Sequence, residues 1–282
     1  MASTVGEYTV RNGSVAGRDG SIPIRDYLPT TQTGAAPFLW IHGGGFVAGG
    51  LDQKESDAPA RFLAARGRWV RAIDYRLAPN PGLFRKLKLY PDPNRFPAAH
   101  HDVLDVAAAL RDEAGVPIGV GGASAGANLA AGAVLAMRDN STELPLTQVL
   151  VYGAFHAEYP VNDAVEASLT GPLVRWMFNP KMVERIVLNY VGDKSEIGNP
   201  YAFPGGADVH GLPPTLSLDA SNDRLRKSGH AYHEELKAAG VTTEERVLQA
   251  HHGFLNAAKR KPFIDGMPII ESWLERFDPR KP

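Results

Sequence analysis

The stretch Ile118–Met137, IGVGGASAGANLAAGAVLAM, constrains this chain more than any other, because it carries no charge and is interrupted by five glycines, a serine and an asparagine. Its length passes the roughly 18 apolar residues that a membrane span requires. The glycines and polar groups argue instead for a buried strand, a tight glycine turn and a buried helix. A strand covered on both faces loses its polar alternation, so this reading calls for a parallel sheet between two helical layers. The rest of the chain keeps the same rhythm. Pro37–Ile41, Trp69–Tyr75, Ile118–Gly122, Gln148–Tyr152, Thr215–Ala220 and Thr243–Leu248 read as strands. Asp57–Arg66, Pro97–Ala114, Ala125–Arg138, Leu225–Ala239 and a stretch around Met267–Phe277 read as helices. Strands alternating with helices predict βαβ units and a mostly parallel sheet with helices on both faces. A hairpin turning at Arg18-Asp19-Gly20 precedes them. Between Gly153 and Pro204 the rhythm breaks, with a helical stretch near Leu173–Tyr190, as expected of a lid inserted between core strands.

Composition narrows the chemistry. Lys+Arg 30 against Asp+Glu 31 leaves a net charge of -1, so no bulk field attracts nucleic acid or anionic lipid. Cysteine is absent, which removes disulfides, thiolate nucleophiles and Cys-containing zinc sites. The N-terminal residues show neither the cationic nor the apolar region of a secretory signal, so a cytoplasmic location is expected.

Gly122-Ala123-Ser124-Ala125-Gly126 fits G-x-S-x-G between a strand and a helix, the context in which such a turn exposes a nucleophilic serine. An N-capping serine in a glycine loop is the plainer alternative. His42-Gly43-Gly44-Gly45-Phe46 follows an earlier strand, and its glycines leave backbone N–H groups open to a substrate oxygen, as in an HGGG-type oxyanion loop. A serine nucleophile needs a histidine base and a carboxylate that holds it. His252, before Gly253 on the loop after the last strand, is the better base, and His251 its neighbour. For the acid, Asp219 and Asp223 both follow the Thr215–Ala220 strand, and residue order leaves them open. Gly119-Val120-Gly121 starts like a dinucleotide fingerprint, but Ser124 stands where the third glycine belongs. His230 and His233 lack zincin spacing.

Taken together these blocks resemble the hormone-sensitive-lipase branch of the α/β-hydrolase esterases. His42–Phe46 is similar to its HGGG[FW] loop, Asp74–Pro79 to D-Y-R-L-A-P, and Phe96–Ala99 with Asp102 to F-P-A-A-x-x-D. Gly122–Leu129 is similar to G-D-S-A-G-x-N-L, Gly211–Pro214 to its L-P-P segment, Asp223–Gly229 to D-P-L-R-D-E-G, and His252–Phe254 to H-G-F. The resemblance implies an α/β-hydrolase fold over residues 1–282 with a reduced helical cap at 153–204 and a short or absent N-terminal cap. It also implies Ser124 as nucleophile, Asp223 as acid, His252 as base, and the N–H groups of Gly44, Gly45 and Ala125 as oxyanion donors. Asp74 and Arg76 are expected to be structural. Phe46, Leu173, Trp176 and Met177 are the expected pocket residues, with Phe178 beside the last two on the same cap helix; packing within the cap is the equal alternative for the helix residues.

Four departures stand out. Ala123 replaces an acidic residue, and Arg224, Lys227 and Ser228 replace Pro, Asp and Glu. The N-terminus is short, and Pro81–Arg95 is inserted where the family has a tight turn; its apolar residues are expected to cover the site or to form an oligomer contact, with a solvated loop as the plainer alternative. The implied function is hydrolysis of small acyl or aryl carboxylic esters, with no metal or organic cofactor and with a small-molecule ester as partner; a homodimer is open. Amide, carbamate or lactone hydrolysis on the same triad is the neighbouring alternative. A catalytically silent small-molecule binder, like plant hormone receptors of this fold, is another.

Overall fold

The predicted hairpin forms as β1 (Tyr8–Gly17) and β2 (Gly20–Pro29), antiparallel with Gly17 opposite Gly20. The computed structural model describes residues 6–31, 33–80, 82, 87, 89 and 92–279. After the hairpin come β3 (Phe38–Ile41), α1 (Lys54–Ala64), β4 (Val70–Ile73), α2 (Ala98–Ala114), β5 (Gly119–Ala123), α3 (Ala125–Asp139) and β6 (Gln148–Val151). The sheet runs β1-β2-β4-β3-β5-β6 and is completed by β7 (Thr215–Asn222) and β8 (Thr243–His251). From β4 to β8 every pairing is parallel, and β2 joins β4 antiparallel.

The uncharged central strands are covered on both sides, and their side chains alternate between two cores. Leu39 and Ile41 pack with α2 and α3, whereas Phe38 and Trp40 pack with α1 and the C-terminal helix. The 118–137 stretch is β5 followed by α3, and among the described residues no helix is long and apolar enough to cross a membrane.

The structure departs from the sequence reading between β6 and β7. The helical stretch expected at Leu173–Tyr190 is two helices, α5 (Pro172–Trp176) and α6 (Pro180–Val191), preceded by α4 (Asp163–Ser168). Pro180 disfavours helical backbone at Asn179, so the chain breaks there. Asn179 then caps α6 by accepting from the Met182 N–H, and Phe178 takes a φ of 51°. Beyond β7 lie α7 (Arg226–Ala238) and α8 (Lys261–Phe277). The last helix begins at Lys261 rather than Met267, because Pro262 falls in the first turn, where a missing N–H costs nothing.

Candidate active site

Ser124 joins β5 to α3 with φ 54° and ψ -120°, a conformation that side chains rarely adopt and that neighbouring glycines make possible. A Cβ on Gly122 would stand 2.6 Å from the Ile41 carbonyl oxygen, and one on Gly126 would overlap that same oxygen. The turn is thereby pressed against the end of β3.

That strand leads directly into the glycine loop, which is held from three sides. The Tyr75 hydroxyl donates to the His42 carbonyl at 3.0 Å, the Gly43 N–H donates to the Glu55 carboxylate at 3.1 Å, and the Ala78 N–H donates to the Phe46 carbonyl at 2.8 Å. The D-Y-R-L-A-P block thus acts as a backing for the loop. Its Arg76 pairs with the buried Asp102 at 2.8 Å, tying the block to α2. No described residue accepts from the N–H groups of Gly44, Gly45 or Ala125, so all three are left open beside Ser124.

His252 follows β8 and is brought to Ser124 from the far side. Its Nε2 lies 3.0 Å from Ser124 Oγ, and its Nδ1 lies 2.7 Å from Asp223 Oδ2. Asp223 gives its other oxygen to the Leu225 N–H at 3.0 Å, so it also fulfils the turn-capping role open to it in the sequence. Burial works against the imidazolium, yet the Asp223 carboxylate, with a smaller effect from Glu55, holds the His252 pKa above its ordinary value. Asp219 stands apart from His252. It is fully buried against Gly229, and burial, followed by the nearby Glu245 and Asp223 charges, raises its pKa far above the carboxylate range. His251 is exposed, with its ring facing Asn222 at 3.2 Å.

Ser124 lies between two cavities. The smaller, about 50 Å³, is apolar and lined by Phe46, Phe178, Val183, Val187, Phe203 and Leu225, among others. The larger, about 560 Å³, is lined by Gly44, Gly45, Glu55, Met182, Arg185, His252 and Asn256, among others. Of the expected pocket residues, Phe46 lines the smaller cavity and Phe178 lines both. Leu173, Trp176 and Met177 line neither, and Leu173 and Trp176 are 63% and 49% exposed. The reason is the break before Pro180. It leaves α5 a short outer turn, makes Phe178 a wall shared by both cavities, and gives the remaining wall to α6. The Asn179-Pro180 pair was the available signal.

The departures near the acid have partners. Arg224 and Lys227 reach Glu166 of α4 at 2.8 and 2.7 Å, and Ser228 Oγ accepts the N–H groups of Phe155 and His156 at 2.7 and 3.0 Å. These contacts fasten the 153–204 segment to the first turn of α7. Most of the Pro81–Arg95 insertion lies outside the described residues. Gly82 lines the larger cavity and accepts from Arg185 at 2.8 Å.

The family model described as alpha/beta hydrolase fold matches residues 38–256. The carboxylesterase NlhH of Mycobacterium tuberculosis is 31% identical over 255 residues, covering 86% of this chain and 74% of that protein. An arylesterase of Saccharolobus solfataricus is 29% identical over 265 residues, 90% of this chain and 79% of that one. Among solved structures, a Pyrobaculum calidifontis esterase superposes with a TM-score of 0.81 at 29% identity, covering 95% of this chain and 85% of that one. The thermostable carboxylesterase EstE1, cloned from a metagenomic library, gives 0.83 at 26% identity, covering 98% and 91%. The chain belongs to the α/β-hydrolase fold family, in its hormone-sensitive-lipase-like carboxylesterase branch.

Proposed function

We propose that this protein is a serine esterase for carboxylic esters with a short acyl group, built as one hydrolase domain whose 153–204 segment is the cap. The observation that carries the reading is the chain of contacts Asp223–His252–Ser124, 2.7 and 3.0 Å long, beside three open N–H groups. His252 takes the Ser124 proton as Oγ attacks the ester carbonyl, and Asp223 holds the imidazole with Nε2 toward Oγ. The Gly44, Gly45 and Ala125 amides receive the oxyanion. His252 then returns the proton to the leaving alcohol, and water, activated in the same way, releases the acid.

The two cavities support a division of the substrate into halves. The leaving oxygen must receive its proton from His252, which lines only the larger cavity, so the alcohol belongs there. The acyl chain then occupies the apolar lobe of about 50 Å³, where roughly four non-hydrogen atoms fit if each needs 10–15 Å³ of such volume.

The test is a series of phenyl esters from acetate to octanoate, assayed beside a matched amide and carbamate, with a serine-reactive phosphonate as covalent probe. Acetate to butyrate should give the highest kcat/KM, octanoate at least about tenfold less, and the probe should label wild type but not Ser124→Ala. Because triad members act as a unit, Ser124→Ala should lose about 10⁴–10⁶ in kcat while remaining folded. A variant retaining a few per cent of activity, or faster turnover of the amide or carbamate, would overturn the reading.

A further inference from the structure

The site contains a second buried carboxylate that the triad does not use. Glu55, in the first turn of α1, is 3% exposed, and no Lys or Arg among the described residues lies within salt-bridge distance of it. Neutral donors surround it instead. Oε1 accepts from the Gly43 N–H at 3.1 Å and from Gln53 Nε2 at 2.7 Å. Oε2 accepts from the Tyr152 hydroxyl and from Asn256 Nδ2, both at 2.9 Å. The Glu55 backbone carbonyl takes the Trp40 indole N–H at 2.7 Å, which fixes the root of the side chain. A buried carboxylate without a cation is costly, and replacing it by a neutral amide would relieve that cost. What it faces gives it a use. On one side is the loop that presents Gly44 and Gly45. On the other is Tyr152, whose ring stands edge-on to His252 with centroids 4.9 Å apart.

We propose that Glu55 is a positioning residue for ester hydrolysis: it anchors the oxyanion loop through Gly43 and provides a second negative charge that stabilises the imidazolium formed on His252. The inference rests on the esterase reading above. Imidazolium is the one cation that the reaction itself creates in this part of the site, and it arises as the oxyanion settles on the loop that Glu55 holds. Several groups share this environment. Facing His252 are Asp223 from the loop after β7, Ser124 from the elbow, Tyr152 from the end of β6 and the neutral Phe178. Facing Glu55 are Tyr152, Gln53 and Asn256, with the fully buried Tyr75 close enough to feel its charge and Arg185 on the wall of the same cavity. Burial, and then the Glu55 charge, drive the Tyr152 pKa far up, so its hydroxyl keeps its proton and donates.

The experiment is the pH profile of kcat/KM for phenyl acetate in wild type, Glu55→Gln and Glu55→Asp. A negative charge near His252 raises its pKa, so removing the charge lowers it. The base works deprotonated, and the acidic limb of Glu55→Gln should therefore move to lower pH by about half a unit, a shift expected of one charge in a medium of high effective dielectric. Its kcat should fall about tenfold, from a loosened loop and a less stabilised imidazolium. Glu55→Asp keeps the charge but withdraws from Gly43, so its limb should stay within about 0.2 unit of wild type while kcat still falls several-fold. A loss of kcat in Glu55→Gln with an unmoved limb would show a purely structural residue and overturn the charge role. Wild-type kcat in Glu55→Asp would overturn the anchoring role, and this variant carries the test if Glu55→Gln does not fold. An active Ser124→Ala would defeat the esterase reading itself, whereas an inactive Ser124→Ala with unchanged Glu55 variants would defeat only this inference.

Discussion

Phe178 stands edge-on to His252, ring centroids 4.8 Å apart and planes at 66°, and the same ring walls both cavities beside Ser124. It stands between the cavity proposed for the acyl group and the cavity proposed for the alcohol. In Phe178→Ala the two spaces should merge. The ratio of kcat/KM for hexanoate over acetate should rise at least about fivefold, with kcat for acetate falling only a few-fold because no reacting atom is removed. An unchanged ratio in the ester series would show that another side chain sets the acyl limit.

The two carboxylates after β7 can be separated by amide replacement. Asp223→Asn should lose about 10⁴ in kcat, since an amide facing Nδ1 supports the wrong tautomer. Asp219→Asn should stay within about tenfold of wild type, because burial already disfavours the charge on Asp219 and no hydrogen bond links it to Ser124, His252 or Asp223. Steady-state kinetics of both purified variants on phenyl acetate decide the matter, and the reverse ranking would exchange their roles.

The charge state of His252 is expected to set the acidic limit of activity. Burial lowers its pKa and Asp223 raises it, with the net displacement upward. Because only neutral imidazole can accept the Ser124 proton, kcat/KM should fall as pH drops through a midpoint above the ordinary imidazole value of about 6.5. A profile measured between pH 4 and pH 9 should place the midpoint there, and a midpoint below 6 would contradict it.

The elbow should tolerate no side chain at Gly126. A methyl group there would press on the Ile41 and His42 carbonyls, both backbone atoms that cannot turn aside. Gly126→Ala is expected to cost about 2–3 kcal/mol or more, the range for overpacking a rigid site. Thermal melting and the phosphonate labelling rate should both register it, whereas Gly240→Ala, with open space around its Cβ position, should leave labelling unaffected.

The meeting of Ser124, His252 and the glycine loop was legible because each depends on short-range chemistry written in adjacent residues. Ser124 sits between two glycines, His252 before Gly253, and both stand at strand ends that periodicity locates well. Asp223 needed the resemblance as well, since residue order weighs it equally with Asp219 and only the β7 to β8 register brings His252 to one of them. Glu55 was illegible for a different reason. In Lys54-Glu55-Ser56-Asp57 it looks like any acidic residue opening a solvated helix, and its burial comes from Tyr152 and Asn256, remote in sequence. The pocket walls failed at one residue, Pro180. A helix read straight through it offers Leu173, Trp176, Met177 and Phe178 alike, whereas the broken chain brings only Phe178 of these to the cavities.

Arg224, Lys227 and Ser228 grip the 153–204 segment, and Asp223 stands one residue before them. The segment proposed as the cap and the residue proposed as the acid are therefore both mounted on residues 223–228, at the entry to α7. A mutation that frees the proposed cap to admit a bulkier ester is expected to slacken the support of Asp223 as well. On this reading substrate breadth and turnover are coupled at one place in the chain, and selection for either acts on both.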